Sequence, residues 1–524
     1  MKKVFTVLFV LWASLTLTDV VAQKLVKTHV ETGDIEGVVE NDLAVYKAIP
    51  YAAPPVGDLR WRDPQPAKAW EGVYKTDKFG PWPPQPERPG LTNDMMSEDC
   101  LYLGIATPAT SVNDRLPVMV WIHGGGFRTE HYGGDLWQHL AKRGVVVVSV
   151  EYRTGALGFM AHPALAKESA NGHTGNYGLL DQIFALQWVQ RNIQNFGGDP
   201  SKVTIFGESA GAISCSILCA SPLAKGLFRG VISQSGGSFA PWDDGSRSLL
   251  TGASQKGAEQ DGLNFQKAMG KKSIKQMRQM SASELTSGNV CQGFWPCVDG
   301  YVITDDLYRL YERGEYNDVP AIIMTNSDEG ALFASSNMTL EQYKQMGKGM
   351  MGDFAEELFK YYPANNDNEV FNAFGDVFRD LGFAWPSYAW ATLQNKNVGK
   401  KPAYLAYLAQ PSARSFSSDP RRRGVGHADD ILYLNGEFLT HPEKYPHESA
   451  VAEIMQQYWV NFAKTGNPNG KGLPYWPAFE EEKPTTMQFS YGASLVTLPN
   501  AEQIHFVDRM YKAIREMTEA KRKK

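Results

Sequence analysis

The sequence predicts an α/β fold, one large and mostly parallel sheet with helices on both faces and helical insertions, on the strength of three observations. Short apolar runs at residues 118–122, 203–206, 321–324 and 403–408 read as strands buried on both faces, the pattern of a parallel sheet. Between residues 180 and 196, Leu180, Ile183, Phe184, Leu186, Ile193 and Phe196 recur at helical spacing, so helices alternate with strands. Loops carrying glycines or polar side chains follow these strands, where open α/β sheets place their ligand sites.

The bulk numbers agree with that class. The 524 residues are 43% hydrophobic and 21% charged, which excludes a disordered or fibrous chain. No Ser/Gly-rich or Pro-rich linker and no internal repeat interrupts the chain, so residues 23–524 are expected to form a single domain. A net charge of −5 with dispersed basic residues excludes a nucleic-acid partner, and the closing KRKK reads as a solvated helix end.

At the start, Lys2 and Lys3 precede an apolar run over residues 4–17, and Val20, Val21 and Ala22 lead to Gln23. This is signal-peptide architecture over residues 1–22. No later apolar stretch reaches the roughly 18 residues a membrane span requires. The expectation is export without stable membrane insertion, with a retained N-terminal anchor as the alternative. Five cysteines in an exported chain leave at least one without an intramolecular partner, and Cys215 and Cys219, four apart in a predicted helix, read as small buried hydrophobes.

The first polar strand end is His123-Gly124-Gly125-Gly126, after the strand at 118–122. Consecutive glycines leave backbone N–H groups unshielded, which suits donation to a developing oxyanion. Next, Gly197 and Gly198 stop the helix, residues 203–206 form a strand, and residues 210–219 read as another helix. Ser209 therefore lies on a sharp strand-to-helix turn, where small residues at 207 and 211 let the two elements approach and push the hydroxyl outward. The strand at 321–324 opens into a loop holding Asp328 and Glu329, and the strand Ala403–Leu408 is followed by GVGHADD with His427. Serine, then acid, then histidine is the chain order of the α/β-hydrolases.

Those motifs are joined by others in one order: YKAIPYAAPPVGDLRW at 46–61, SEDCLYL at 97–103, EYRTGALGF at 151–159, GNYGLLDQ at 175–182, FGGDPSKVTIFGESAG at 196–211 and YWVNFAKTGNPN at 458–469. On them the chain resembles the type-B carboxylesterase family, nearly end to end. The resemblance implies a serine carboxylic ester hydrolase acting on small to medium esters, with Ser209 as nucleophile, His427 as base and Glu329, the middle residue of DEG, as the orienting acid. It assigns oxyanion donors to the backbone N–H groups of Gly125, Gly126 and Ala210. It places Trp242, Phe294 and Trp295 in segments that shape substrate pockets, and Glu208, beside the nucleophile, is expected to support the site or bind substrate. It also implies a fold-locking salt bridge between Glu98 and Arg153.

Departures are equally specific. The partner that closes a disulfide with Cys100 in many relatives is Pro83 here, and Gly90 stands where cholinesterases carry a tryptophan for the quaternary ammonium, which argues against choline esters. Cys297 stands in place of an apolar residue in FWPCVDG, with a short bridge to Cys291 left open. A small-molecule ester is the one partner implied. No cofactor or metal is, since there is no phosphate-cradling loop and the spacing of His441 and His447 fits no zinc motif. Interfacial lipase action and a non-catalytic adhesion role are the alternatives, the second disfavoured by the intact triad. The lysine-led signal, few cysteines and a single sequon at Asn337 point to a bacterial enzyme, periplasmic or secreted.

Overall fold

A computed structural model describes residues 24–134, 137–241, 253–288, 293–396 and 401–522. Its centre is an eleven-stranded sheet. In chain order the strands are β1 (Val38–Glu40), β2 (Leu43–Pro50), β3 (Tyr102–Thr107), β4 (Leu116–Ile122), β5 (Val146–Val150), β6 (Gly198–Glu208), β7 (Gly230–Gln234), β8 (Ala321–Asn326), β9 (Ala403–Leu408), β10 (Thr485–Phe489) and β11 (Ala493–Thr497). Across the sheet they run β11-β10-β9-β8-β7-β6-β4-β5-β3-β2-β1. From β5 to β10 all neighbours are parallel, and the flanking pairs are antiparallel.

Both faces are covered because the strands are apolar on both. In β4, Val118, Val120 and Ile122 belong to one hydrophobic cluster and Met119 and Trp121 to the other, the alternation a pleated strand imposes. The helix expected over residues 180–196 is observed as Tyr177–Asn192 with a 3-10 turn, Ile193–Phe196, and Gly197 ends it in the left-handed region at φ 76°. The strand expected at 203–206 is longer, because GGDPSK, turn-like in composition, pairs with β4 through a register shift. Ile122 is level with Gly207, Gln234 with Glu208, and Met324 with Gln234, so the carboxyl ends of four central strands form one edge. Among the described residues no helix is long and apolar enough to cross a membrane.

The Glu98–Arg153 pairing is corrected by the structure. Arg153 is gripped at both ends of its fork by Asp181 of the helix Tyr177–Asn192, Nε to Oδ2 at 2.8 Å and Nη2 to Oδ1 at 2.7 Å. Glu98 is held instead by Arg60, at 2.7 and 2.5 Å. The buried guanidinium has its counter-charge in the bidentate Asp181 carboxylate and donates Nη1 to the Arg62 carbonyl, while both oxygens of Glu98 are taken by Arg60, so neither group needs the other. Cys100, Cys215 and Cys219 are buried thiols, raised above the ordinary cysteine range chiefly by desolvation. Cys297 is also buried, its Sγ directed to the Thr174 carbonyl, whereas Cys291 lies outside the described residues.

Candidate active site

Ser209 sits between β6 and the helix Ala210–Ala220 at φ 55° and ψ −122°, a conformation that non-glycine residues rarely adopt. Its backbone N–H donates to the Gln234 carbonyl at 2.9 Å, which fixes the turn to the neighbouring strand. The small residues beside it are required sterically. A Cβ on Gly211 would stand 2.0 Å from the Ile122 carbonyl oxygen, and one on Gly207 would stand 2.5 Å from the Gly211 carbonyl carbon. Close strand-to-helix approach thus explains both glycines, and it leaves the serine side chain facing outward.

The histidine arrives on a loop after β9. Asp328 organises that loop: its Oδ2 accepts the backbone N–H groups of Arg423 at 2.5 Å and Gly424 at 3.1 Å, and its own N–H donates to the Val425 carbonyl at 2.8 Å. Asp429 adds a second anchor, accepting from Gly426 N–H at 2.8 Å, the Ser415 hydroxyl at 2.7 Å and Phe416 N–H at 2.8 Å. With the loop so held, the His427 ring is 4% exposed and joins two distant residues. Nδ1 lies 2.6 Å from Glu329 Oε2, and the Ser209 hydroxyl lies 2.8 Å from Nε2. A carboxylate at Nδ1 selects the tautomer whose Nε2 lone pair faces the hydroxyl. Glu329 is held in turn by the Asn326 N–H at 2.7 Å and the Ser235 hydroxyl at 2.5 Å, both on its Oε1.

Electrostatics follow from burial. Burial works against the charged imidazole, but the carboxylates of Glu208 and Glu329 outweigh it and push His427 up to about 9. Glu208 Oε1 is 3.2 Å from His427 Nε2, makes no hydrogen bond among the described residues, and is raised well above the usual carboxylate range by desolvation. Burial of an unbonded carboxyl favours the neutral form. Glu208 and His427 act on each other: the Glu208 carboxylate raises the imidazole, and a charged imidazole lowers Glu208. Asp430, buried and pushed up to about 6 by desolvation, accepts from Asn326 Nδ2 at 2.9 Å and from Gln234 Nε2.

In front of Ser209 opens a cavity of about 570 Å³. Gly125, Gly126 and Ala210 line it, as do Glu208 and Trp295. Gly125 and Gly126 are at φ 86° and 61°, so only residues without a Cβ present their amides there easily. Phe333 and Phe383 border the imidazole, their ring centroids 5.0 and 4.6 Å from that of His427.

Of the expected pocket residues, Trp295 reaches the cavity and Phe294 does not. Phe294 is 2% exposed and packs edge-on against Phe265 at 5.1 Å, because adjacent residues of an extended segment face opposite ways. Trp242 lies outside the described residues. Sequence reasoning missed Ser235, Asn326, Gln234 and Asp430, which hold the acid and the histidine loop. The available signal was the run of polar residues where β7 and β8 end. Among the described residues, no group of three or more His, Cys, Asp or Glu could hold a metal ion.

Comparison with known proteins gives the family and the fold. A sequence model described as the carboxylesterase family matches residues 22–507. The fumonisin B1 esterase of Sphingopyxis macrogoltabida is 37% identical over 478 residues, covering 87% of this chain and 85% of that protein. A liver carboxylesterase of Sus scrofa is 33% identical over 505 residues, covering 86% of this chain and 85% of its own. Among solved structures, a PNB esterase superposes with a TM-score of 0.77 at 29% identity, over 92% of this chain and 99% of that one, and so has the same α/β-hydrolase fold.

Proposed function

The chain belongs to the carboxylesterase family and is a carboxylesterase; on that premise we propose that it cleaves small to medium carboxylic esters through a Ser209–His427–Glu329 triad and an acyl-enzyme. The observation that carries this reading is the unbroken hydrogen-bond chain from Ser209 through His427 to Glu329, opening on the cavity.

In this mechanism His427 takes the hydroxyl proton as Ser209 attacks the ester carbonyl, and Glu329 holds the ring and stabilises its charged form. The tetrahedral oxygen receives the N–H groups of Gly125, Gly126 and Ala210, aided by the positive end of the helix Ala210–Ala220. His427 then protonates the leaving alcohol, and water activated by the same ring releases the acid. Substituting Ser209→Ala is expected to lower kcat on 4-nitrophenyl esters roughly 10⁶-fold. A pre-steady-state burst of 4-nitrophenol matching the enzyme concentration would report the acyl-enzyme, and full activity in Ser209→Ala would end the proposal.

A second reading, action on acylglycerols at an interface, is favoured by one observation: Leu332, Phe333 and Phe416 at the cavity are 42%, 38% and 50% exposed. Faster turnover of emulsified triglyceride than of soluble short-chain esters would select it. Export directed by residues 1–22, to the periplasm or outside a bacterial cell, is part of the proposal. An intact N-terminus on the mature protein would refute that part.

A further inference from the structure

The glycine run beside Ser209 has no side chains of its own to hold it, so the aim of its amides is set by neighbours. Across a planar trans peptide the C=O of one residue and the N–H of the next point in opposite directions. Whatever holds the Gly124 carbonyl therefore aims the Gly125 N–H the other way. The His123 ring does this: its Nδ1 lies 3.1 Å from the Gly124 oxygen, and since a carbonyl can only accept, Nδ1 carries the hydrogen. The Tyr152 hydroxyl is farther from that oxygen, at 3.5 Å, and donates to the His123 carbonyl at 2.8 Å. Gly124 itself stands against the nucleophile, for a Cβ on it would be 3.1 Å from the Ser209 Cβ. Among the described residues the Gly125 N–H makes no hydrogen bond within the protein.

The ring is fixed in turn by Glu151, the residue after β5, whose side chain no step of the mechanism uses. Its Oε1 is 2.8 Å from His123 Nε2 and accepts the Tyr152 N–H at 3.3 Å, and its Oε2 accepts the Tyr132 N–H at 3.3 Å. One carboxyl thus grips both ends of the loop 123–132, a side chain at the start and a backbone amide at the finish. Glu151 is wholly buried, His123 is 3% exposed, and the imidazole lies on the Tyr152 ring with centroids 4.2 Å apart. Burying a carboxyl with an imidazole stabilises a fold little relative to apolar residues of the same volume. What the pair adds is a fixed direction.

We propose that Glu151 and His123 are positioning residues for the oxyanion: His123 holds the Gly124–Gly125 peptide with its N–H aimed at the reacting oxygen, and Glu151 holds His123. This rests on the Ser209 reading above, in which Gly125 is an oxyanion donor. Neither residue makes or breaks a bond to substrate.

The test compares two ketones of one chain length. Ser209 adds to the carbonyl of 1,1,1-trifluorohexan-2-one, whose oxygen becomes an oxyanion facing the glycine amides, whereas hexan-2-one binds unreacted. His123→Phe keeps a ring on Tyr152 and loses the Nδ1 hydrogen. It is expected to lower kcat/KM on 4-nitrophenyl butyrate about 10²-fold, to raise the Ki of the trifluoroketone by a similar factor, and to leave the Ki of hexan-2-one within about twofold. Glu151→Gln, which frees the ring to take its other tautomer, is expected to move the first two quantities together by about tenfold. Unchanged trifluoroketone affinity in variants that urea unfolding shows to be folded overturns the assignment, as does equal weakening of both ketones, the mark of a general disturbance of the cavity. If His123→Phe does not fold, Glu151→Gln decides by the same outcomes. A Ser209→Ala variant with wild-type turnover and wild-type trifluoroketone affinity would instead overturn the triad reading, and this inference with it.

Discussion

Asp328 and Glu329, adjacent in sequence, hold two parts of one loop: Asp328 accepts the N–H groups of Arg423 and Gly424, and Glu329 lies 2.6 Å from the Nδ1 of His427. One carboxylate shapes the loop that carries the histidine, and the other orients its ring. Asp328→Ala is therefore expected to lower kcat/KM about 10²-fold, the cost of a small displacement of reacting groups, with Ser209 and Glu329 intact. Steady-state kinetics check this, and unchanged kinetics would remove Asp328 from the positioning network.

Glu329→Gln is expected to be costlier, about 10⁴-fold in kcat, since a neutral amide at Nδ1 admits the wrong tautomer. The pH profile supplies a second reading. Glu329 raises His427, and activity on the acid side is lost as the ring takes up its proton. Removing the carboxylate moves the acid limb of kcat/KM to lower pH.

Glu208→Gln separates charge from shape at the second carboxyl. Burial raises the Glu208 carboxyl and so favours its neutral form, to which the amide is electrostatically equivalent, and on that basis the acid limb is expected to stay in place. A downward shift of that limb would show Glu208 ionised in the free enzyme.

The turn at Ser209 has no tolerance for a methyl group. Gly211→Ala drives a Cβ to 2.0 Å from the Ile122 carbonyl oxygen, so the helix Ala210–Ala220 must move away from β4. The expected cost is about 1–3 kcal/mol of stability, with a larger proportional loss of activity, since Ser209 and Ala210 move with the helix. Urea denaturation and kcat measured on the same preparation compare the two.

The buried pair Arg153–Asp181, with side chains 4% and 0% exposed, gives a stability prediction away from the cavity. Asp181→Asn leaves a buried guanidinium without its counter-charge and is expected to cost about 3–5 kcal/mol in denaturant unfolding. Replacing both, as Arg153→Met with Asp181→Leu, is expected to recover most of that loss.

Much of the site was legible because its backbone demands are local. The glycines at 125, 126, 207 and 211 mark positions where a Cβ has no room or the backbone is left-handed. Strand β9 was legible to its boundaries, Ala403–Leu408, because its apolar run is bounded by a proline and polar residues. The ends of β6 were not, since residues 198–202 have a turn composition and are drawn into the sheet by pairing with β4.

By itself the sequence determined the fold class, the order of Ser209, Glu329 and His427 along the chain, and the strand ends that carry them, all set by short-range patterns of apolar and small residues. Only the tertiary structure decided the partners. It put Asp181 and not Glu98 on Arg153, turned Phe294 into the core and Trp295 toward the cavity, and brought Ser235, Asn326 and Asp430 around the acid and the histidine loop. The physical reason is that hydrogen bonds and ion pairs between residues far apart in sequence depend on how strands align and helices pack, and no local run of residues encodes that alignment.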